Sequence, residues 1–170
     1  MKKIMFIAIM AMSTISMSAQ KFALIDMEYI MNRLPAYVVA NEQINQAAKA
    51  CQAEVDSLGK EAQALYADYQ SNAAKLTAEQ KKTRQEAIMN KEKEAAELKK
   101  KYFGPEGEII KKRNDLISPI QEHVYEAVKY ISDLRGYSLV LDRASDSGII
   151  FASPRIDISN EVLAKLGYSN

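Results

Sequence analysis

The sequence predicts a mainly α-helical fold with a small β body: a long antiparallel helical hairpin inserted between short strands from the two ends of the chain. Three observations carry that expectation. From about Ala36 to Ser132 the composition shifts to Ala, Glu, Lys and Gln, all strong helix formers. Within this stretch Ala48, Cys51, Val55, Leu58, Ala62, Leu65 and Tyr69 recur at alternating spacings of 3 and 4, the seam of a coiled coil. Runs of β-formers flank it on both sides, Lys21–Asp26 before and Tyr137–Asp142 and Gly148–Ala152 after.

The elements follow in chain order. Lys2 and Lys3 precede the short apolar run Ile4–Met12 and the small, polar stretch Ser13–Ala19, which is the layout of a secretory signal peptide cleaved near Ala19. Its apolar core falls well short of the roughly 20 residues that cross a bilayer as a helix, and no stable membrane insertion is expected. Without Lys2 and Lys3, the 23 basic residues become 21 against 22 acidic, a net charge of −1. Such a balance predicts no general affinity for nucleic acid or an anionic membrane. The single cysteine excludes an intramolecular disulfide.

Lys21–Asp26 reads as a strand, Met27–Arg33 as a short helix and Pro35 as punctuation. A helix from Ala36 to Leu76 spans roughly 60 Å. Thr77-Ala78-Glu79-Gln80 then matches a capping box, so the hairpin tip falls near residues 74–79 and a returning helix begins at Ala78. Charge favours the pairing. Residues 36–76 carry five acidic and three basic side chains, whereas residues 77–113 carry eleven basic and seven acidic.

Gly104-Pro105-Glu106-Gly107 cannot continue a regular helix, and Phe103, Gly104, Pro105 and Gly107 are the expected hinge. Ser118 and Pro119 suit the N-cap and first position of a restarted helix, in which Ile120, Val124, Ala127, Ile131 and Leu134 make a stronger seam. The strands Tyr137–Asp142 and Gly148–Ala152 follow, and Ser159 can cap a last helix, Asn160–Leu166, closed by Gly167. The expected organisation is a signal peptide at 1–19, a body made of 20–35 with 133–170, and an arm at 36–132.

The sequence carries no constellation of chemistry-bearing residues at a recognisable spacing. His123 stands alone, without ligands at metal-binding spacing, and no nucleophile elbow or phosphate loop occurs. Asp26 and Asp142 each end an apolar run and could meet. Strand-end capping accounts for them more simply than acid–base work. No enzyme activity, cofactor or metal is expected.

The stretches Lys21–Tyr37 (KFALIDMEYIMNRLPAY) and Gly136–Gly167 (GYSLVLDRASDSGIIFASPRIDISNEVLAKLG) resemble the Skp (OmpH-like) family of periplasmic chaperones. The hairpin between them matches in length and composition. Leu34, Pro35 and Tyr37, with the break at Tyr102–Gly107, look like the family's Bacteroidetes-type branch. The resemblance implies a homotrimer whose short strands close a central β-barrel and whose hairpins surround a cavity. Unfolded outer-membrane β-barrel proteins are held there without ATP and passed to the outer-membrane assembly machinery. Enteric members are strongly basic. This chain departs from that pattern, since its positive charge is confined to the returning limb, and no lipopolysaccharide site is carried over. The candidate client contacts are Lys81, Lys82, Arg84, Lys91, Lys93, Lys99, Lys100 and Lys101, with the apolar Tyr66, Tyr69, Ile88 and Met89. For the apolar four, hairpin core is an equal expectation. The competing function is a structural or adaptor coiled coil of the cell envelope, docking on one folded partner.

Overall fold

A computed structural model describes residues 21–145 and 148–168. The signal peptide expected at residues 1–19 lies outside the described residues. Strand β1 (Lys21–Ile25) leads into helix α1 (Met27–Asn32), then α2 (Pro35–Asn72), a 3-10 turn (Ala73–Lys75) and α3 (Ala78–Phe103). Helix α4 (Glu108–Arg135) returns to the body, followed by β2 (Tyr137–Asp142), a 3-10 turn (Pro154–Ile156) and α5 (Ser159–Lys165).

Local chemistry sets most boundaries. Asp26 caps α1 by accepting from the Tyr29 backbone N–H at 2.8 Å. Pro35 occupies the first turn of α2, where its missing N–H costs no intrahelical bond. At the tip both halves of the capping box form: the Gln80 N–H donates to Thr77 Oγ1 at 3.2 Å, and the Thr77 N–H donates to Gln80 Oε1 at 2.9 Å. Helix α4 stops at Gly136, whose φ of +69° lies in the left-handed region that glycine enters without a Cβ clash.

The body joins the two ends of the chain. β1 and β2 pair in parallel, with Ile25 opposite Asp142. Leu24 also bridges to Asp157, and its carbonyl accepts from the Ile158 N–H at 2.8 Å. β1 is therefore held on both edges. Ala23 and Ile25 from this sheet, Ile30 and Met31 of α1, Val124, Ala127 and Ile131 of α4, and Val162 and Leu163 of α5 belong to one buried cluster. Each fully buried aliphatic side chain contributes roughly 1.5–3 kcal/mol by leaving water.

Four sequence expectations need correction. Gly148–Ala152 is not a strand among the described residues: it runs as turn and irregular backbone, with Ile150 fully exposed and Phe151 84% exposed. The second edge of β1 is taken by the Leu24–Asp157 bridge, and the segment does not pair with the open edge of β2. Helix α4 does not restart at Ser118 but runs through Pro119 unbroken. A proline inside a helix costs about 3 kcal/mol. Here Ser118 and Pro119 face solvent while Ile117 and Val124 are buried to either side, so one packed stripe spans the proline. Leu134, expected on that stripe, is 70% exposed. Ser159 is the first residue of α5 rather than its cap, and its Oγ accepts from the Asp26 N–H at 2.9 Å instead.

Asp26 and Asp142 do meet, at the ends of the paired strands, and both act as caps. Asp142 accepts from the backbone N–H groups of Met27 and Ala144, each at 3.0 Å. Arg143 bridges Asp26 at 3.1 Å and Asp157 at 3.6 Å. Burial disfavours the Asp142 charge, but the hydrogen bonds from Met27, Ser145 and Ala144 outweigh it and hold the carboxyl below its ordinary value of 3.8. A depressed folded-state value means that the stabilisation is complete above pH 3.8 and is lost as pH falls through the folded pKa. Melting temperature measured against pH should therefore drop in that acid window, with a shallower slope in Asp142→Asn. Identical slopes in the two proteins would remove Asp142 from the acid response.

Candidate functional surface of the arm

The arm is a hairpin of two unequal helices, 38 residues in α2 and 26 in α3. Along α2, Val55 and Ala62 of the predicted seam are buried, and Ala48, Cys51, Leu58, Leu65 and Tyr69 are half-buried. The facing seam of α3 is Ile88, Lys91, Ala95, Leu98 and Tyr102, again at spacings of 3 and 4. Its period was present in the sequence, but a lysine and a tyrosine among the apolar positions hid it. Cross-limb contacts set the register: Arg84 pairs with Asp68, Lys91 with Glu61 at 3.2 Å, and the Tyr102 hydroxyl donates to Glu54.

The client candidates divide by environment. Ile88 is buried between the limbs and so belongs to the hairpin core. Tyr69 is half-buried, with its hydroxyl accepting from Gln85 Nε2 at 3.0 Å. Tyr66 and Met89 stand out from the seam, 51% and 64% exposed. Five of the eight basic candidates already hold acidic partners within the chain. Besides Arg84 and Lys91, Lys82 reaches Glu86 at 3.9 Å, Lys93 reaches Glu97 at 3.8 Å and Lys101 reaches Glu108 at 3.3 Å. Lys81 is half-buried, while Lys99 and Lys100 are exposed. These local pairs cancel much of the positive field that a count of lysines suggests. Each is an exposed pair and contributes little to stability.

The bend at Phe103–Gly107 is closely packed. Helix α3 ends with the Gly104 N–H donating to the Lys100 carbonyl at 2.9 Å, and the Gly107 N–H donates to the Gly104 carbonyl at 2.8 Å. A Cβ on Gly104 would collide with the Lys100 carbonyl oxygen, and one on Gly107 with that of Tyr102. The glycines are thus required by close approach, since their φ values of −65° and −69° suit any residue. Tyr102, beside the bend, is buried. Its bond to the Glu54 carboxylate, with burial adding to the effect, pushes its pKa up to about 12. Sequence reasoning missed this tie, because nothing local to Glu54 points to a partner 48 positions away. Cys51 sits half-buried nearby, and burial, followed by the Glu54 carboxylate, raises its pKa.

Among the described residues no group of three or more His, Cys, Asp or Glu side chains is placed to hold a metal ion. No helix there is long and apolar enough to cross a membrane. What the arm offers is two-sided: a thin internal seam, and an outer surface of paired charges interspersed with single apolar side chains.

A search of curated protein sequences finds no significant match. The fold has a counterpart in the crystal structure of a candidate outer membrane chaperone (OmpH-like) from Caulobacter crescentus CB15. That likeness has a TM-score of 0.65 at 11% identity, covering 86% of this chain and 83% of that one. At such identity it establishes the shared architecture. The sequence profile of the family described as outer membrane protein (OmpH-like) matches residues 21–166, from the first residue of β1 to just beyond α5. The chain belongs to the OmpH-like outer membrane protein family.

Proposed function

We propose that the chain is an ATP-independent holdase chaperone of the periplasm, which binds unfolded outer-membrane proteins between helical arms and prevents their aggregation. The observation that carries this reading is the family match over residues 21–166, together with a hairpin arm that exposes apolar side chains without forming an enclosed pocket. The working form is a homotrimer, with each arm contributing to a shared cavity, and the assembly machinery of the outer membrane receives the client. Two features support self-association. β2 is paired only with β1 among the described residues, leaving an open sheet edge. Phe22, Leu139, Ile150 and Phe151 of the body are exposed apolar side chains.

Client capture in this reading is multivalent. Single apolar contacts such as Tyr66 and Met89, repeated over several arms, add up to a tight but yielding hold. With most candidate cations already paired internally, salt should alter the affinity little. The test is to dilute a denatured β-barrel membrane protein into buffer with and without the mature protein, following light scattering. Suppression by stoichiometric trimer is expected. The double variant Tyr66→Ser with Met89→Ser should weaken client affinity about tenfold. No suppression, combined with tight binding to one folded envelope protein, would instead establish the adaptor. A steep loss of affinity in high salt would return the main role to Lys81, Lys99 and Lys100.

A further inference from the structure

We propose that Met89 is an oxidation-sensitive client contact: conversion of its thioether to the sulfoxide loosens the arm's hold on an unfolded chain, and reduction restores it. The switch rests on the chaperone reading above. Three methionines lie among the described residues, in different environments. Met31 is 4% exposed, inside the buried cluster of the body. Met27 is half-buried and packs against that cluster. Met89 is more exposed than any other large apolar side chain of α2 or α3.

A thioether sulfur attacks hydrogen peroxide directly. An S–O bond forms, the O–O bond breaks, the sulfur gives up two electrons and the peroxide leaves as water. No deprotonation precedes the attack, so access sets the rate. Cys51, the competing sulfur, is half-buried on the α2 seam, and burial raises its thiol pKa, which keeps the reactive thiolate scarce. Oxidation at Met89 alters the surface and spares the fold. Its neighbour Ile88 is buried in the seam, and the next seam position, Lys91, ties to Glu61 at 3.2 Å, whereas Met89 projects outwards. The sulfoxide turns a flexible apolar side chain into a polar one, which suits water better than a client's apolar segment. Tyr66, the other exposed contact in this part of the arm, carries no sulfur, so the hold weakens without vanishing. A reductase that delivers two electrons and two protons to the sulfoxide regenerates the thioether and releases water.

Peroxide treatment of the client-free mature protein, followed by peptide mass spectrometry, reads the site separately from chaperone activity. Met89 is expected to gain an oxygen atom about tenfold faster than Met27, and faster still than Met31, with an unchanged circular dichroism spectrum. Oxidation of Met27 as fast as Met89, or loss of helix when Met89 alone is converted, would overturn the assignment. The second arm repeats the light-scattering assay with the oxidised protein. Client affinity should fall about threefold, the square root of the tenfold loss expected for the Tyr66 and Met89 double variant, and a methionine sulfoxide reductase should restore it. In Met89→Leu, treated and untreated protein are compared with each other, and peroxide should leave their affinities equal. Undiminished affinity after full conversion of Met89 removes the switch, as does a threefold peroxide response in Met89→Leu. No suppression of aggregation by the untreated chain is the failure of the chaperone reading itself, and the switch falls with it whatever the oxidation pattern.

Discussion

Ile30→Ala is expected to destabilise the body by about 2–5 kcal/mol, the cost of a cavity where a large aliphatic side chain had been fully enclosed. Ile30 is completely buried in α1, within the cluster that also includes Ala23 of β1, Val124 of α4 and Val162 of α5. Those elements come from both ends of the chain, so the residue holds the closure of the body rather than one local contact. Urea denaturation followed by far-ultraviolet circular dichroism, at matched protein concentration, measures the effect. Matching matters because association contributes to apparent stability. Much of the helical signal comes from the arm, so tyrosine fluorescence should be recorded in parallel, and the body should melt ahead of the hairpin in the variant. A loss below about 1 kcal/mol would mean that the site collapses around the alanine, and that the body is less tightly closed than described.

Gly107→Ala should cost about 1–3 kcal/mol, the usual range for forcing atoms into a filled space. The added methyl would strike the Tyr102 carbonyl, the Tyr102 carbonyl carbon and the Gly104 nitrogen, all backbone atoms that cannot rotate aside. Relief requires the turn to open. That would break the Gly107-to-Gly104 hydrogen bond and draw Tyr102 away from Glu54. The tyrosine hydroxyl reports the second event: its ionisation, held up near 12 in the native chain, should fall towards the ordinary value of 10.0 in the variant. An ultraviolet pH titration reads that shift independently of stability. An unchanged melting temperature with an unchanged titration would show the bend to be slack, as a simple hinge would be.

Much of the architecture was legible because it rests on local rules. Thr77 and Gln80 form their reciprocal cap as the T-x-x-Q pattern requires. The α2 seam at 3 and 4 spacing is the contact face. The interruption at Gly104–Gly107 and the closing glycine at 167, with φ of +88°, follow from residue type alone. The errors share one cause. Ser118-Pro119 looks like a helix start, and Ser159 looks like a cap. In each case distant residues set the outcome: the stripe of Ile117 and Val124 packed against the body, and an Asp26 N–H 133 positions away. Gly148–Ala152 has the composition of a strand but does not pair with the open edge of β2.

The candidate surface divides in the same way. Which side chains are aromatic or basic could be counted from the sequence. Whether Lys91 projects to solvent or ties two limbs together depends on what the other helix places opposite it, as does the burial of Ile88 beside the exposed Met89.

The helical hairpin was legible in the sequence alone, because propensity, capping and heptad period act over a few residues. Tertiary structure decided that β1 lies between β2 and the 157 bridge, that Pro119 is tolerated inside a helix, and that Tyr102 is bound to Glu54. Each of these depends on which atoms, remote along the chain, arrive opposite one another, and burial energy summed over such contacts outweighs the local preference of any single residue.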